Sequence, residues 1–133
     1  MAAGINILVN DGGAPARIMK LGNASADIDA GTFVIFDGTE VAPADADLPD
    51  TSNAIGVLFV DATSGDPASV LTGSGIQVFL KAASAGITAG QSLSHDDAGL
   101  AKNSGIAATD EKLAVALEAK GATHTGFVKA LLL

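Results

Sequence analysis

The residues of this chain that could do chemistry are two histidines and several aspartates close to them. His95 stands beside Asp96 and Asp97 in "LSHDDAG", and His124 stands in "ATHTGF". Histidine with nearby carboxylates is a common donor set for metal ions. Adjacent residues on a turn seldom point at one ion, however. We therefore interpret His95 as part of an exposed polar turn and His124 as part of a hairpin loop.

The other candidate motifs lack residues that their chemistry requires. The stretch "DADLPD" could hold calcium only loosely, because an EF-hand needs acidic ligands at alternate positions and a closing glutamate. "TGSGIQ" has neither the lysine nor the following helix of a phosphate-binding loop. The chain has no cysteine, which excludes thiolate catalysis and zinc–thiolate sites. The sequence therefore predicts a protein that is not an enzyme and that holds no metal and no cofactor.

Composition narrows the class of partner. The 133 residues carry 15 acidic and 7 basic side chains, for a formal net charge of −8. Binding to nucleic acid or to an anionic membrane needs clustered lysine and arginine, so we expect neither partner. With 48% hydrophobic residues the chain can build a real core, and its 16 glycines favour many turns over long helices.

The pattern from residue 28 onward is one of short strands separated by turns. "GTFVIFDGTEV" carries β-branched and aromatic residues around "DG", a hairpin signal. "AIGVLFVDA", "SVLTG" and "GIQVFLKA" supply further apolar strands. "AATDEKLAVALEA" suits a helix by composition, but with "KGATHTGFVKALLL" after it the segment fits a closing hairpin better. The sequence predicts a mainly β fold.

Two of these segments share one pattern. "IDAGTFVIFDGTEVAPA" and "ITAGQSLSHDDAGLAKN" both read I-x-A-G-x-x-[V/L]-x-x-D-x-x-x-[V/L]-A. Each is followed by a similar apolar strand and then by another, so the chain contains a weak tandem pseudo-repeat of about sixty residues. In this alignment "KALLL" is the counterpart of "SVLTG". We expect the two copies to pack about a pseudo-twofold axis and close into a small β-barrel.

The two ends of the chain carry apolar residues that need partners. "INILV" stands ahead of the turn residues "NDGGAP", and we interpret residues 1–17 as an arm that is mobile or docked on a partner, with residues 18–133 as the domain. The alternative is an ordinary first strand. The chain closes on "GFVKALLL", which predicts a final strand hydrogen-bonded into the sheet.

The final strand has leucine on both of its faces. Strict alternation puts Leu131 and Leu133 on one face and Leu132 on the other, so we expect both faces to be covered. We predict that this strand is buried or forms a subunit interface through Phe127, Val128, Leu131, Leu132 and Leu133. One face would pack on the barrel core and the other on a neighbouring subunit, or a local loop would cover Leu132.

Several segments together resemble the capsid decoration, or head cement, proteins of tailed bacteriophages. They are "IGV" before "GDPASV", "GIQVFLKA" leading into "ITAGQSLSHD", "VALEA" near the end, and the closing apolar strand. The resemblance covers about residues 31–133. It implies a small β-barrel or β-tulip that binds the outside of an icosahedral shell. The polar loop at residues 42–53 is long for this family.

The resemblance also implies partners and a location. Such proteins commonly sit as homotrimers on the major capsid protein, at the outer capsid surface of a virion assembled in the host cytoplasm. They tie neighbouring subunits together after the head expands, against the pressure of the packaged DNA. An arm of this kind can order on the shell, and we expect Ile5, Ile7, Leu8 and Val9 to form the capsid contact, with Ile5, Ile7 and Val9 on the anchoring face.

Two other classes of protein fit parts of the pattern. A capsid fibre, or another virion or bacterial surface β-module, has a similar composition but would be present in far fewer copies than a cement protein. A sugar- or ice-binding β-module would need a regular flat face of threonines, and the sequence has no regular T-x-T ladder.

Overall fold

The computed structural model describes residues 17–45, 54–103, 112–122 and 124–133, and the backbone of residues 7–9. These segments contain strands and turns and no helix, so they hold no helix long and apolar enough to cross a membrane. The strands are β1 (Ile7–Val9), β2 (Arg17–Ala24), β3 (Phe33–Phe36), β4 (Glu40–Pro43), β5 (Gly56–Leu58), β6 (Pro67–Thr72), β7 (Gln77–Lys81), β8 (Ser92–His95), β9 (Ala101–Asn103), β10 (Ala114–Ala116) and β11 (Phe127–Leu132).

Strands β2 to β6 close into a five-stranded barrel in the order β2-β4-β3-β5-β6. All of its neighbouring strands are antiparallel except β2 and β4, which run parallel where Asn23 and Ala24 meet Glu40 and Val41. The barrel is therefore closed by a short parallel contact at one end of β2. The predicted mainly β fold with a small barrel is confirmed.

Strands β7 to β11 repeat the same arrangement in a six-stranded sheet. Their order is β7-β11-β10-β8-β9, with β1 added on the outer side of β7. An isolated parallel bridge between Ala82 and Ala101 joins the end of β7 to β9, where the first unit has its parallel β2–β4 contact. Strands β2 to β6 thus correspond one by one to β7 to β11, and β11 is the counterpart of β6, as the sequence alignment predicts.

The barrel closes within the first copy rather than across the two copies. The sequence analysis expected the copies to combine into one barrel, whereas the closed barrel is built from the first copy alone. The reason is that β2 and β6 of the first copy pair with each other over four consecutive positions, which completes that ring without a strand from the second copy.

Alternation along the strands divides the buried apolar residues into two clusters, one inside the first barrel and one shared by both copies. Inside the first barrel lie Val34, Val41, Leu58 and Val70, all essentially buried. Residues on the opposite faces of β3, β5 and β6 belong to a second cluster, together with the core of β7 to β11. Burial of one valine or leucine side chain is worth about 1.5–3 kcal/mol, so apolar packing holds the two units together.

Backbone contacts also cross the boundary between the units. The Lys81 N–H donates to the Gly31 carbonyl at 3.0 Å, and the Phe33 N–H donates to the Gly99 carbonyl at 2.8 Å. The Lys81 ammonium forms an ion pair with Asp29. A Cβ added to Gly31 would lie 2.8 Å from the Phe79 carbonyl oxygen, so only glycine permits this approach. The units therefore meet at fixed positions.

The aspartate shared by the two sequence copies has the same task in each. Asp37 Oδ1 accepts the N–H groups of Thr39 and Glu40 at 2.8 and 2.7 Å. Asp96 Oδ1 accepts the N–H groups of Ala98 and Leu100, both at 2.9 Å. Each carboxylate closes the hairpin turn that follows β3 or β8, which explains why the pattern contains aspartate at this point.

The charge on Asp37 makes its turn sensitive to acid. The N–H groups of Glu40 and Thr39 hold the pKa of the Asp37 carboxyl below its ordinary value. Because the folded pKa is the lower one, the charge stabilises the fold above the unfolded pKa, and this stability is lost as pH falls through the folded pKa. We expect Asp37→Asn to unfold more easily than the wild type at pH 7. The difference in unfolding free energy should shrink as pH falls, and a difference independent of pH would contradict this explanation.

Candidate functional site

His95 is the first candidate for chemistry, and its position differs from the prediction. It lies at the end of β8 and is only 4% exposed, rather than on an exposed turn. Its Nδ1 lies 2.9 Å from the Asp96 carbonyl oxygen, and its ring centroid lies 6.3 Å from that of Phe33. The side chain is buried because β8 faces the first unit, and there His95 packs between the two copies.

His124 lies in the loop that precedes β11, as predicted. Its ring meets Phe79 edge-on, with centroids 4.6 Å apart. Most of "DADLPD", residues 46–50, falls outside the described residues. Among the residues that the structure describes, no three His, Asp or Glu side chains come together in a way that could hold a metal ion.

The arm residues lie partly within a strand. Ile7–Val9 forms β1, which pairs antiparallel with β7 through Ile7 opposite Val78 and Val9 opposite Gln77. Ile5 lies outside the described residues. β1 is thus the edge strand of the second unit, the arrangement that the sequence analysis kept open as its alternative.

The final strand β11 lies in the middle of the second sheet, between β7 and β10. Val128 and Leu132 point into the core together with Ala130, and Phe127 is 8% exposed. Leu131 is half-buried, and Leu133 is 57% exposed. The expectation that Leu131 and Leu133 are buried within the chain is therefore wrong. Leu132 lies on the inward face instead, because it alternates in step with the buried Val128.

A small apolar pocket opens beside the end of the chain. It has a volume of about 120 Å³ and lies where Phe33, Ile55 and Leu113 meet Leu132 and Leu133. Pockets for small molecules commonly have volumes of about 300–1,000 Å³. The space therefore suits one inserted apolar side chain better than a ligand.

The sequence analysis does not predict the exposed apolar surface on strand β2. It places Arg17 in the arm, and it assigns no strand to the apolar residues that follow. Ile18, Met19 and Leu21 are 47%, 38% and 37% exposed. Phe36 is 39% exposed, and its ring lies 3.4 Å from where a Cβ on Gly22 would stand. The stretch "RIMKL" is a weak strand signal, and nothing in its sequence indicates that its apolar residues face solvent.

Comparison with known proteins agrees with this picture of a structural β protein. A family model described as phage cement protein matches residues 14–132. The chain is also similar in fold to the N base of head fiber gp8.5 of bacteriophage phi29, a crystal structure with a TM-score of 0.61 and 19% sequence identity. That similarity covers 90% of this chain and 95% of that one. No curated protein sequence matches the chain.

The family match extends over both β units and begins just before β2. It confirms the resemblance drawn from the strand and turn motifs. It also gives the chain a structural role, which argues against an enzyme. The chain belongs to the phage cement protein family and is a structural phage protein associated with the capsid.

Proposed function

We propose that the protein binds the outer surface of an icosahedral phage head and cements neighbouring major capsid subunits. In this role it stabilises the expanded shell against DNA pressure. The observation that carries the proposal is the cement-family match over residues 14–132. A clamp of this kind needs no catalysis, because many modest contacts repeated by the symmetry of the shell add up to tight attachment.

The shape and charge of the molecule support this role. Two barrel-like units joined by hydrogen bonds and apolar packing form a body that can transmit force between the subunits it touches. The net charge of −8 suits exposure on the outside of a particle and disfavours contact with the DNA within. We infer that the protein meets its shell on the outer capsid surface, after assembly in the host cytoplasm, and contacts neither nucleic acid nor membrane.

We further propose that the protein sits on the shell as a homotrimer. Leu131 and Leu133 are candidates for the contact between copies, because they lie on the outward face of β11 and remain partly exposed. The pocket beside Leu133 has room for an apolar side chain from a neighbour. The division into an arm at residues 1–17 and a domain at residues 18–133 stays a prediction.

The arm is proposed to contact the shell through Ile5, Ile7, Leu8 and Val9. As the edge strand of its sheet, β1 can extend that sheet onto a strand of another protein. We expect the triple change Ile5→Ser, Ile7→Ser and Val9→Ser to weaken shell binding strongly, whereas Leu8→Ser, outside the proposed anchoring face, should weaken it less. Co-sedimentation with expanded heads measures this, with thermal unfolding as the check that both variants fold. Unchanged binding by the triple variant would refute the arm contact.

A second candidate function is the base of a capsid fibre. It is favoured by the similarity of the fold to the N base of a phage head fiber. The two functions differ in copy number, since a cement protein approaches the number of major capsid subunits and a fibre is far scarcer.

Titration of the purified protein onto expanded, undecorated heads tests the proposal. Bound copies are counted per major capsid subunit at saturation. A value near one supports the cement function. A handful of copies per head would favour the fibre, and no binding would refute both.

A further inference from the structure

Because of the internal repeat, the pairing on each side of β2 can be compared with the pairing on the same side of β7. β2 and β7 are equivalent strands, and each pairs with the last strand of its unit on one side. On the other side, β7 carries β1 at Gln77 and Val78. The equivalent side of β2 pairs with β4 only at Asn23 and Ala24. Over residues 17–20, no described residue pairs with this side of β2, which we call the open edge.

The open edge has the features of a strand acceptor. An unpaired edge presents a row of backbone N–H and C=O groups to which another chain can bond. Ile18 and Met19 lie on it and Leu21 follows directly after it, each more than a third exposed. Single exposed apolar residues are ordinary on a protein surface, whereas apolar side chains beside unpaired backbone groups offer another chain both kinds of contact.

The basic side chains on β2 favour a partner strand that carries acidic residues. Arg17 and Lys20 are two of the seven basic residues of a chain with net charge −8, and β2 itself holds no acidic residue. Pairing of this edge with the same edge of a second copy would place Arg17 opposite Lys20 when residues 17–20 overlap fully in antiparallel register. Like charges directly opposite each other are destabilising, so the edge favours an acidic strand over itself.

We propose that the open edge of β2 binds an extended segment of the shell subunit, antiparallel as β1 is on β7. This segment carries apolar side chains toward Ile18, Met19 and Leu21 and carboxylates opposite Arg17 and Lys20. The inference rests on the proposed function, and it adds a second strand contact on the first unit to that of the arm on the second.

Hydrogen exchange with and without heads tests this contact at the backbone. In the isolated protein, the amides of residues 17–20 that do not bond to β6 should exchange fast. On saturated, expanded heads they should become protected. Slow exchange in the isolated protein would mean that the chain itself or a second copy already covers the edge, and would overturn the proposal.

Charge reversal tests the chemistry of the partner. We expect Arg17→Glu with Lys20→Glu to weaken binding to heads by about tenfold or more, because two attractive charge pairs across the interface become repulsive. The matched control is Lys102→Glu with Lys112→Glu, which changes the net charge equally on β9 and beyond it. The control should bind within about twofold of the wild type, because salt at physiological concentration screens the effect of a change in net charge away from the contact.

The outcomes separate this proposal from the proposed function. Wild type that saturates heads near one copy per subunit, with residues 17–20 unprotected and the charge variant binding like its control, would overturn the β2 contact alone. Wild type that does not bind heads would overturn both.

Discussion

Replacing Gly99 by alanine is expected to lower the free energy of unfolding by about 2–5 kcal/mol. Gly99 lies in the turn between β8 and β9, with a backbone φ of +77°. A Cβ there would stand 2.3 Å from the Phe33 carbonyl oxygen and 2.8 Å from Thr32 Cγ2. Both atoms belong to the first unit, and the Gly99 carbonyl accepts the Phe33 N–H at 2.8 Å. The methyl group would therefore push the two units apart where they bond.

Gly121→Ala separates this clash from backbone strain. Gly121 has a φ of +79°, nearly that of Gly99, but a Cβ there meets no atom within 4 Å. Its substitution should cost only the strain of an L residue in a left-handed conformation, about 1–2 kcal/mol. Urea unfolding of both variants measures the difference. Equal losses would mean that a Cβ at Gly99 is accommodated without a clash, which would contradict the close approach of the two units at this point.

The three leucines that end the chain are expected to give a graded series. Leu132→Ala should cost about 2–5 kcal/mol, because Leu132 is 6% exposed and packs in the core of the second unit. Leu131→Ala should cost less, since the side chain is half-buried. Leu133→Ala should change stability by about 0.5 kcal/mol or less in the isolated protein, because it is 57% exposed.

The same series has a second readout on the shell. If Leu133 contacts a neighbouring copy, as proposed, then Leu133→Ala should weaken binding to heads although it leaves the isolated protein stable. Denaturant unfolding and head titration of the three variants measure both effects. A loss of stability larger for Leu133 than for Leu132 would contradict the phase of β11 described above.

The repeat could be predicted from the sequence because local chemistry recurs in both copies. Asp37 and Asp96 each accept two backbone N–H groups and so close a hairpin turn. This shared task explains why aspartate stands at the same position of the pattern in both copies. The closure of a barrel within the first copy alone could not be predicted. It depends on whether β6 pairs with β2 of its own copy, a long-range choice that no short pattern encodes.

The phase of the last strand and the environment of His95 show the same limit. Alternation groups Leu131 with Leu133, but it does not say which face meets the core. His95 is polar and follows a strand, which suggests a turn, yet the packing of β8 against the first unit buries it. In both cases tertiary packing decided which side chains are buried.

The candidate site was predicted least well. The arm segment drew attention because "INILV" stands alone before a run of turn residues. The strand at Arg17–Ala24 was passed over, although it carries exposed apolar side chains and two basic ones. Its significance comes from comparison with β7, whose equivalent edge is occupied by β1. Only the repeat within the structure makes that comparison possible.

The measurement that tests the central claim most directly is the temperature at which DNA-filled heads release their DNA, as a function of the number of bound copies. Heads are stripped of this protein and then reloaded to increasing occupancy. If the protein cements the shell, the release temperature rises with occupancy and levels off near one copy per major capsid subunit. Full occupancy with no change in the release temperature would contradict the cement function, because the protein would then decorate the shell without cementing it.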